Sequence, residues 1–215
     1  MNKSKITILS ALIALFLSAC DSSEKPSSKD CGAIKEFTVD EDYCNQYGLR
    51  VETFTVKYPE SFAMETQEDY QSSNFVSFVD YDSDSLIEQA INIGYYYGVS
   101  ESGDDGAINN MLGLTKASLI ENLAGQFRQL GIDFKDMEMG DELIDGETHF
   151  TARAHFETTE DVNGFKGKYL AQFVFYATES DHGVLAIMTG RKNENLDEYN
   201  DFENKSCIGS ILKSL

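Results

Sequence analysis

Apolar and polar residues alternate in several short runs of the chain, and this pattern predicts β-strands. The run 50–62 places Phe54, Val56 and Tyr58 on one side and polar residues on the other, which is the period-two pattern of a half-buried strand. Pro59 is expected to end this strand, because proline cannot donate to a β-ladder. Further runs with strand character lie at 74–81, 90–99, 134–147, 149–160, 167–179 and 184–191.

Two stretches show a helical period instead. Between residues 115 and 131, apolar side chains recur every three or four positions and form one stripe, as in a helix that packs on a core. Thr115 is the expected N-cap, and Gly131 stands where a helix end needs a left-handed residue. The final stretch, 198–215, is predicted as a single terminal helix with its apolar residues on one face.

The turn signals between these runs suggest how the strands pair. Asn163-Gly164 is a hairpin signature between two alternating runs, and Asp145-Gly146 marks another turn. The acidic, glycine-containing segment 101–107 is predicted to be a loop. The order of elements predicts an α+β fold in which an antiparallel sheet carries helices on its apolar face.

The first twenty residues have the pattern of an export signal. A basic start with Lys3 and Lys5 precedes the apolar run 6–17, which is short for a membrane span of about 20 residues. The run ends in Leu-Ser-Ala-Cys at 17–20, which resembles the bacterial lipoprotein box at every position. This resemblance implies cleavage before Cys20 and attachment of lipid, including palmitate, to that residue.

A lipidated Cys20 would anchor the protein to a membrane. Residues 21–30 are polar apart from one proline, so we expect a flexible tether of at most about 35 Å. Asp21 resembles the signal that retains lipoproteins at the inner membrane in enteric bacteria, so we expect a periplasm-facing protein at the inner rather than the outer membrane. The predicted domains are a signal peptide (1–19), a tether with a cysteine-containing lead-in (20–47) and one folded domain (48–215).

Composition narrows the classes of partner. The chain has 215 residues, 41% of them hydrophobic, and a formal net charge of −20, so it is long enough for one globular core. Such acidity argues against nucleic acid as a partner and against a basic patch that grips anionic lipid. It is compatible with a solubilising surface, with a cationic protein or with divalent ions.

Three cysteines remain after Cys20. Outside the cytoplasm, where disulfides persist, Cys31, Cys44 and Cys207 would give one disulfide and one free thiol. Cys44 pairs with Cys31 in one alternative and with Cys207 in the other. We favour a pair that includes Cys44, and the sequence leaves its partner open.

The element order resembles a known fold. The run "FTVKYP" at 54–59, the aromatic Phe62, the strand at 74–76, a central amphipathic helix and the terminal "SILKSL" together resemble the PsbP-like fold, and within it the DcrB-like envelope lipoproteins. The resemblance covers most of residues 48–215, although Phe62 stands where tryptophan is common in the family. It implies a protein-binding domain without chemistry of its own, since members with different roles share protein binding.

The sequence contains no strong catalytic or metal motif. Nucleophile-elbow, phosphate-loop and paired-cysteine zinc patterns do not occur. Asp80, Asp82 and Asp84 alternate as in a calcium loop, but the glycine and glutamate of an EF-hand are replaced. His149 and His155 lie about 20 Å apart along one strand, so we expect them on an outward polar face rather than around a shared metal. We predict no cofactor and no enzymatic activity.

Tyrosines are the candidates for a binding surface. Neighbouring residues of a strand point to opposite faces, so Tyr96 would point outward if Tyr95 and Tyr97 join the core, and Tyr176 would likewise oppose Phe175. The alternative is that these rings pack under a loop or helix.

The predicted function is a non-catalytic envelope lipoprotein that binds a protein or acts as a scaffold. The alternatives are an immunity or chaperone protein for a secreted effector, and a binder of a small ligand or divalent ion between the sheet and helix 115–131.

Overall fold

The computed structural model describes residues 30–66, 74–97, 99–100, 114–144, 146–179 and 182–215. The strands are β1 (Ile34–Val39), β2 (Phe54–Pro59), β3 (Ala63–Thr66), β4 (Asn74–Tyr81), β5 (Ile87–Tyr97), β6 (Val99–Ser100), β7 (Leu114–Thr115), β8 (Lys135–Ile144), β9 (Glu147–Val162), β10 (Phe165–Glu179) and β11 (His182–Arg191). The helices are α1 (Glu41–Tyr47), α2 (Lys116–Gln129), α3 (Asn200–Lys205) and α4 (Cys207–Leu212).

A seven-stranded antiparallel sheet forms the centre of the molecule. Its strand order is β3-β4-β5-β11-β10-β9-β8. Strands β1 and β2 form a separate antiparallel pair, and β6 and β7 form a short parallel one. The predicted α+β class with an antiparallel sheet is confirmed.

Local signals set several element boundaries as predicted. The N-cap Thr115 and Ser118 form a capping box, in which the Ser118 backbone N–H donates to Thr115 Oγ1 at 3.1 Å. Gly131 follows α2 with a φ of +89°, a conformation that glycine adopts without steric cost. Asn163 and Gly164 both have positive φ and join β9 to β10, as a tight hairpin turn requires.

Both faces of the sheet are covered, whereas the sequence pattern predicts helices on one apolar face. On the face that we call the α2 face, Ile120 of α2 packs with Ala154 and Phe173 of the sheet. On the opposite face, the β1–β2 pair, α1, α3 and α4 pack on the sheet. The physical reason is visible in β11, where residues 183–190 are all buried, so the side chains of both faces need cover.

The segment predicted as a lead-in belongs to the same core. Residues 31–47 form β1, which pairs with β2 along its whole length, and α1, which Asp40 caps. Val39 and Cys44 of this segment are completely buried. The packed part of the described chain therefore includes residues before the predicted boundary at 48.

The terminal helix is broken into two, in contrast to the single helix predicted over 198–215. Ser206 separates α3 from α4 with extended backbone angles, φ −109° and ψ 155°. Its hydroxyl donates to the Phe202 carbonyl at 2.6 Å and accepts from the Gly209 N–H at 3.3 Å. Serine is a preferred N-cap, so Ser206 ends α3 and starts a new helix.

The disulfide joins Cys31 to Cys207, and the predicted pair that includes Cys44 is wrong. The Cα atoms of Cys31 and Cys207 lie 5.7 Å apart across 176 positions of sequence, within the usual range for a disulfide. Cys44 is free and faces the core, where its Sγ contacts the Glu52 carbonyl at 3.6 Å. Burial is the main reason that the pKa of the Cys44 thiol is raised.

We predict that the double variant Cys31→Ser/Cys207→Ser unfolds more easily than the wild type by about 2–5 kcal/mol, because the disulfide closes a long loop in the unfolded chain. Urea unfolding with and without reductant measures this difference. Reductant should lower the wild-type midpoint and leave that of the double variant unchanged. A wild-type midpoint that does not respond to reductant would contradict the pairing.

Candidate functional site

The predicted lipidation site does not fall within the part of the chain that the structure describes. Cys20, the signal peptide 1–19 and most of the tether lie outside the described residues. The helices of the described ranges are all too short or too polar to cross a membrane.

The two tyrosines predicted to point outward are packed instead. Tyr96 is 3% exposed and meets Phe175 edge to face, with 5.0 Å between ring centroids. The ring of Tyr176 packs on His149, and its hydroxyl donates to the Leu212 carbonyl at 3.4 Å. The alternative, in which these rings pack under other elements, therefore holds. The assignment of Tyr96 and Tyr176 to an exposed surface is wrong, because both faces of the sheet are covered.

An exposed aromatic surface lies at the end of β5, one residue beyond Tyr96. Tyr97 is 60% exposed, and the guanidinium of Arg50 lies 5.6 Å from the centre of its ring, within cation–π distance. Tyr95 stacks behind Tyr97 with 6.2 Å between centroids, and the neighbouring Val51 is exposed. We call Arg50, Val51, Tyr95 and Tyr97 the Tyr97 patch.

Sequence reasoning placed Tyr97 in the core and so missed this patch. Successive residues of β5 are buried because both faces of the sheet are covered, but Tyr97 at the strand end is exposed. One signal was available. Arg50 is the only basic residue between Lys35 and Lys57, in a stretch that carries five acidic residues.

A cleft lies between α2 and the part of the sheet formed by β4, β5 and β11, and we call it the α2 cleft. Its volume is about 520 Å³ and its walls are mostly apolar. Leu123, Phe127 and Leu130 line the helix side, and Ile187 lines the sheet side. A cavity of this size is within the range of small-molecule sites, roughly 300–1,000 Å³.

The floor of the α2 cleft carries three polar side chains. Thr189 is 4% exposed, and its hydroxyl has no hydrogen-bond partner. The Ser77 hydroxyl donates to Asn92 Oδ1 at 2.7 Å, which leaves the amide nitrogen of Asn92 available as a donor. Sequence reasoning identified the region between sheet and helix but none of these residues.

A second cavity, of about 570 Å³, lies on the opposite face around Tyr199. Two of its cationic side chains have acidic partners: Arg153 lies 2.7 Å from Glu142, and Lys192 lies 3.0 Å from Asp197. Lys168 also lines the cavity, together with the acidic Glu157 and Glu198. The lining therefore has no excess of positive charge for an anionic ligand. We therefore regard this cavity as part of the packing between the sheet and the terminal helices.

The acidic run at 80–84 is organised as a structural turn. Asp82 Oδ1 accepts from the backbone N–H groups of Asp84 and Leu86 at 2.8 and 2.9 Å. Its Oδ2 accepts from Arg191 at 2.7 Å. The hydrogen bond from Arg191 is the main reason that the pKa of Asp82 lies below its usual value, and the two backbone donors add to this effect.

The two strand histidines have different environments. His149 is largely buried under the ring of Tyr176, so the prediction that it lies on an outward face is wrong. His155 is half-exposed and lies 3.6 Å from Asp136, as predicted for an outward residue. No group of three His, Cys, Asp or Glu side chains within the described ranges could hold a metal ion.

No family model and no curated protein match this chain. The solution structure of cyanobacterial PsbP (CyanoP) from Synechocystis sp. PCC 6803 covers 92% of this chain and 96% of its own, at 11% identity and a TM-score of 0.45. The crystal structure of the Saccharomyces cerevisiae Ran-binding protein Mog1p covers 85% and 93%, at 11% identity and a TM-score of 0.41. Both likenesses combine low identity with a low TM-score, so they carry no argument about the role of this chain.

We predict that Asp82→Asn lowers the thermal midpoint at pH 7. We also expect the thermal midpoint of this variant to fall less than that of the wild type between pH 7 and pH 3. The folded-state pKa of Asp82 is lowered, so its contribution to stability is present above the unfolded value of about 3.9 and is lost as the pH falls through the folded value. Thermal midpoints at pH 7 and pH 3 measure both effects. The control is Asp84→Asn, because the Asp84 side chain is exposed. Equal effects of the two substitutions would contradict the assignment.

Proposed function

We propose that this protein is a non-catalytic binding module of the bacterial cell envelope, which is anchored by lipid on Cys20 and contacts a partner protein through the Tyr97 patch. The observation that carries the proposal is the exposed pair of Tyr97 and Arg50 beside the exposed Val51. Tyrosine and arginine are enriched among the residues that dominate binding energy at protein interfaces.

The Tyr97 patch is better suited to a protein interface than the other exposed apolar residues are. Among the described residues, Tyr97 is the exposed aromatic residue whose ring lies under an arginine guanidinium, that of Arg50. The stacking restricts both side chains before a partner arrives, which lowers the entropy lost on binding. A tyrosine also gives a large contact area with few rotatable bonds.

Charge favours a basic partner. A formal net charge of −20 attracts a cationic surface over several ångströms and raises the association rate, an effect that salt screens. A chaperone or immunity protein for a basic secreted effector would meet such a partner. The acidity of the chain therefore supports a chaperone or immunity role within the proposal.

Several features support export and anchoring. The basic start, the apolar run 6–17 and the Leu-Ser-Ala-Cys order at 17–20 form a consistent lipoprotein signal. The Cys31–Cys207 disulfide supports an oxidising compartment such as the periplasm. Asp21 supports the inner membrane over the outer.

We predict that Cys20→Ser abolishes incorporation of labelled palmitate and changes the size of the processed protein, because serine offers no sulfur for the lipid. Ser22→Ala is the matched control and should behave as the wild type. Metabolic labelling, membrane fractionation and mass measurement test this prediction. If the Cys20→Ser protein stays with the membranes at the wild-type processed size, the anchor is not on Cys20.

We predict that Tyr97→Ala and Arg50→Ala each weaken partner binding, with a loss of about 30-fold for Tyr97→Ala as expected for an interface hot spot. Affinity capture from detergent-solubilised envelopes at native expression identifies the partner, and titration with the purified partner measures the dissociation constants.

The matched control for the patch is Leu143→Ala, because Leu143 is 70% exposed on the edge strand β8. This variant should bind as the wild type does, and the affinity of both should fall as salt rises. A partner that binds wild type and Tyr97→Ala equally would show that the patch is not the interface.

A further inference from the structure

We propose that the α2 cleft binds a neutral amphiphile, an apolar molecule with one hydroxyl or carbonyl group, and that this polar group meets Thr189 at the floor of the cleft. The proposal does not depend on the Tyr97 patch, because it concerns different residues. It rests on the shape of the cleft, on the buried hydroxyl of Thr189 and on the charge of the cleft walls.

The apolar walls suit a hydrocarbon body. Leu123 and Phe127 are only partly buried, although they point to the same side of α2 as the fully buried Ile120. Leu130, just after the helix, is 57% exposed at the edge of the cleft. Removal of this apolar surface from water is favourable in proportion to the area covered. An apolar ligand in the cleft would provide that cover.

Thr189 supplies the second and independent observation. Its hydroxyl is buried without a hydrogen-bond partner, a state that costs free energy in an apolar surrounding. Valine has the same shape without this cost, so packing alone does not require threonine here. A ligand hydroxyl or carbonyl that hydrogen-bonds to Thr189 would remove the penalty.

Asn92 provides a second polar contact. Asn92 pairs with Ile187 across β5 and β11, and Thr189 pairs with Ala90. Asn92 and Thr189 are therefore diagonal neighbours on one face of the sheet, about 7 Å apart. A single polar group between them can accept from the Asn92 amide and exchange a hydrogen bond with Thr189.

The charge of the lining selects a neutral ligand. Glu65 is the one charged residue that lines the cleft, and no lysine, arginine or histidine lines it in the described part of the chain. A carboxylate would lose its hydration without gaining a counter-charge, in a protein that is already strongly acidic. A fatty alcohol, ester or amide therefore fits the cleft better than a fatty acid.

The test uses the purified full-length protein and a photoactivatable diazirine analogue of 1-decanol. Mass spectrometry then locates the labelled peptides. We expect label on α2 and on β11, with competition by excess 1-decanol and at least tenfold weaker competition by decanoate. Label that is absent from these elements, or that decanoate displaces as well as decanol, would overturn the proposal.

The decisive variant is Thr189→Val, which keeps the shape and removes the hydroxyl. We expect an apparent affinity for the probe about three- to tenfold lower, the range of one hydrogen bond, and a thermal midpoint of the free protein that is unchanged or higher. A purely structural role for Thr189 would lower the midpoint instead. The matched control is Thr53→Val, because Thr53 is exposed outside the cleft. Equal labelling of wild type and Thr189→Val would refute a ligand at Thr189.

Discussion

The burial of both faces of the central sheet is the constraint on which the rest of the structure depends. Strand β11 lies in the middle of the sheet, and its residues are buried at successive positions rather than at every second one. A strand of this kind cannot leave either face to water. The helix α2 covers one face, and the β1–β2 pair with α1, α3 and α4 covers the other.

Contacts between distant parts of the chain hold the cover of the opposite face in place. The disulfide joins Cys31, before β1, to Cys207 in α4. The backbone N–H of Lys57 in β2 donates to Ser214 Oγ, beyond α4, at 2.8 Å. The two ends of the described chain therefore meet on one face, and the first elements stabilise the last ones.

Both candidate binding surfaces lie where this cover ends. At the end of β5, Tyr96 is buried on the α2 face, while Tyr97 points to the opposite face and is exposed there. The elements that cover the opposite face therefore end before Tyr97. On the α2 face, the single helix leaves the α2 cleft beside it, with Thr189 at the floor. Incomplete cover of an apolar sheet thus provides a protein-contact surface at one place and a ligand-sized cavity at another.

Local patterns in the sequence determined β2 and six of the seven strands of the central sheet, the limits of α2, the Asn163-Gly164 turn and the antiparallel α+β class. Alternation, capping and turn chemistry act between residues close in the chain. The break at Ser206 also had a local signal, a serine suited to an N-cap, which the helical period obscured. Only the tertiary structure decided the partner of Cys207, the burial of Tyr96 and the exposure of Tyr97. These depend on which distant segments cover each face of the sheet, and a period along the chain shows that a face is apolar but not what packs against it.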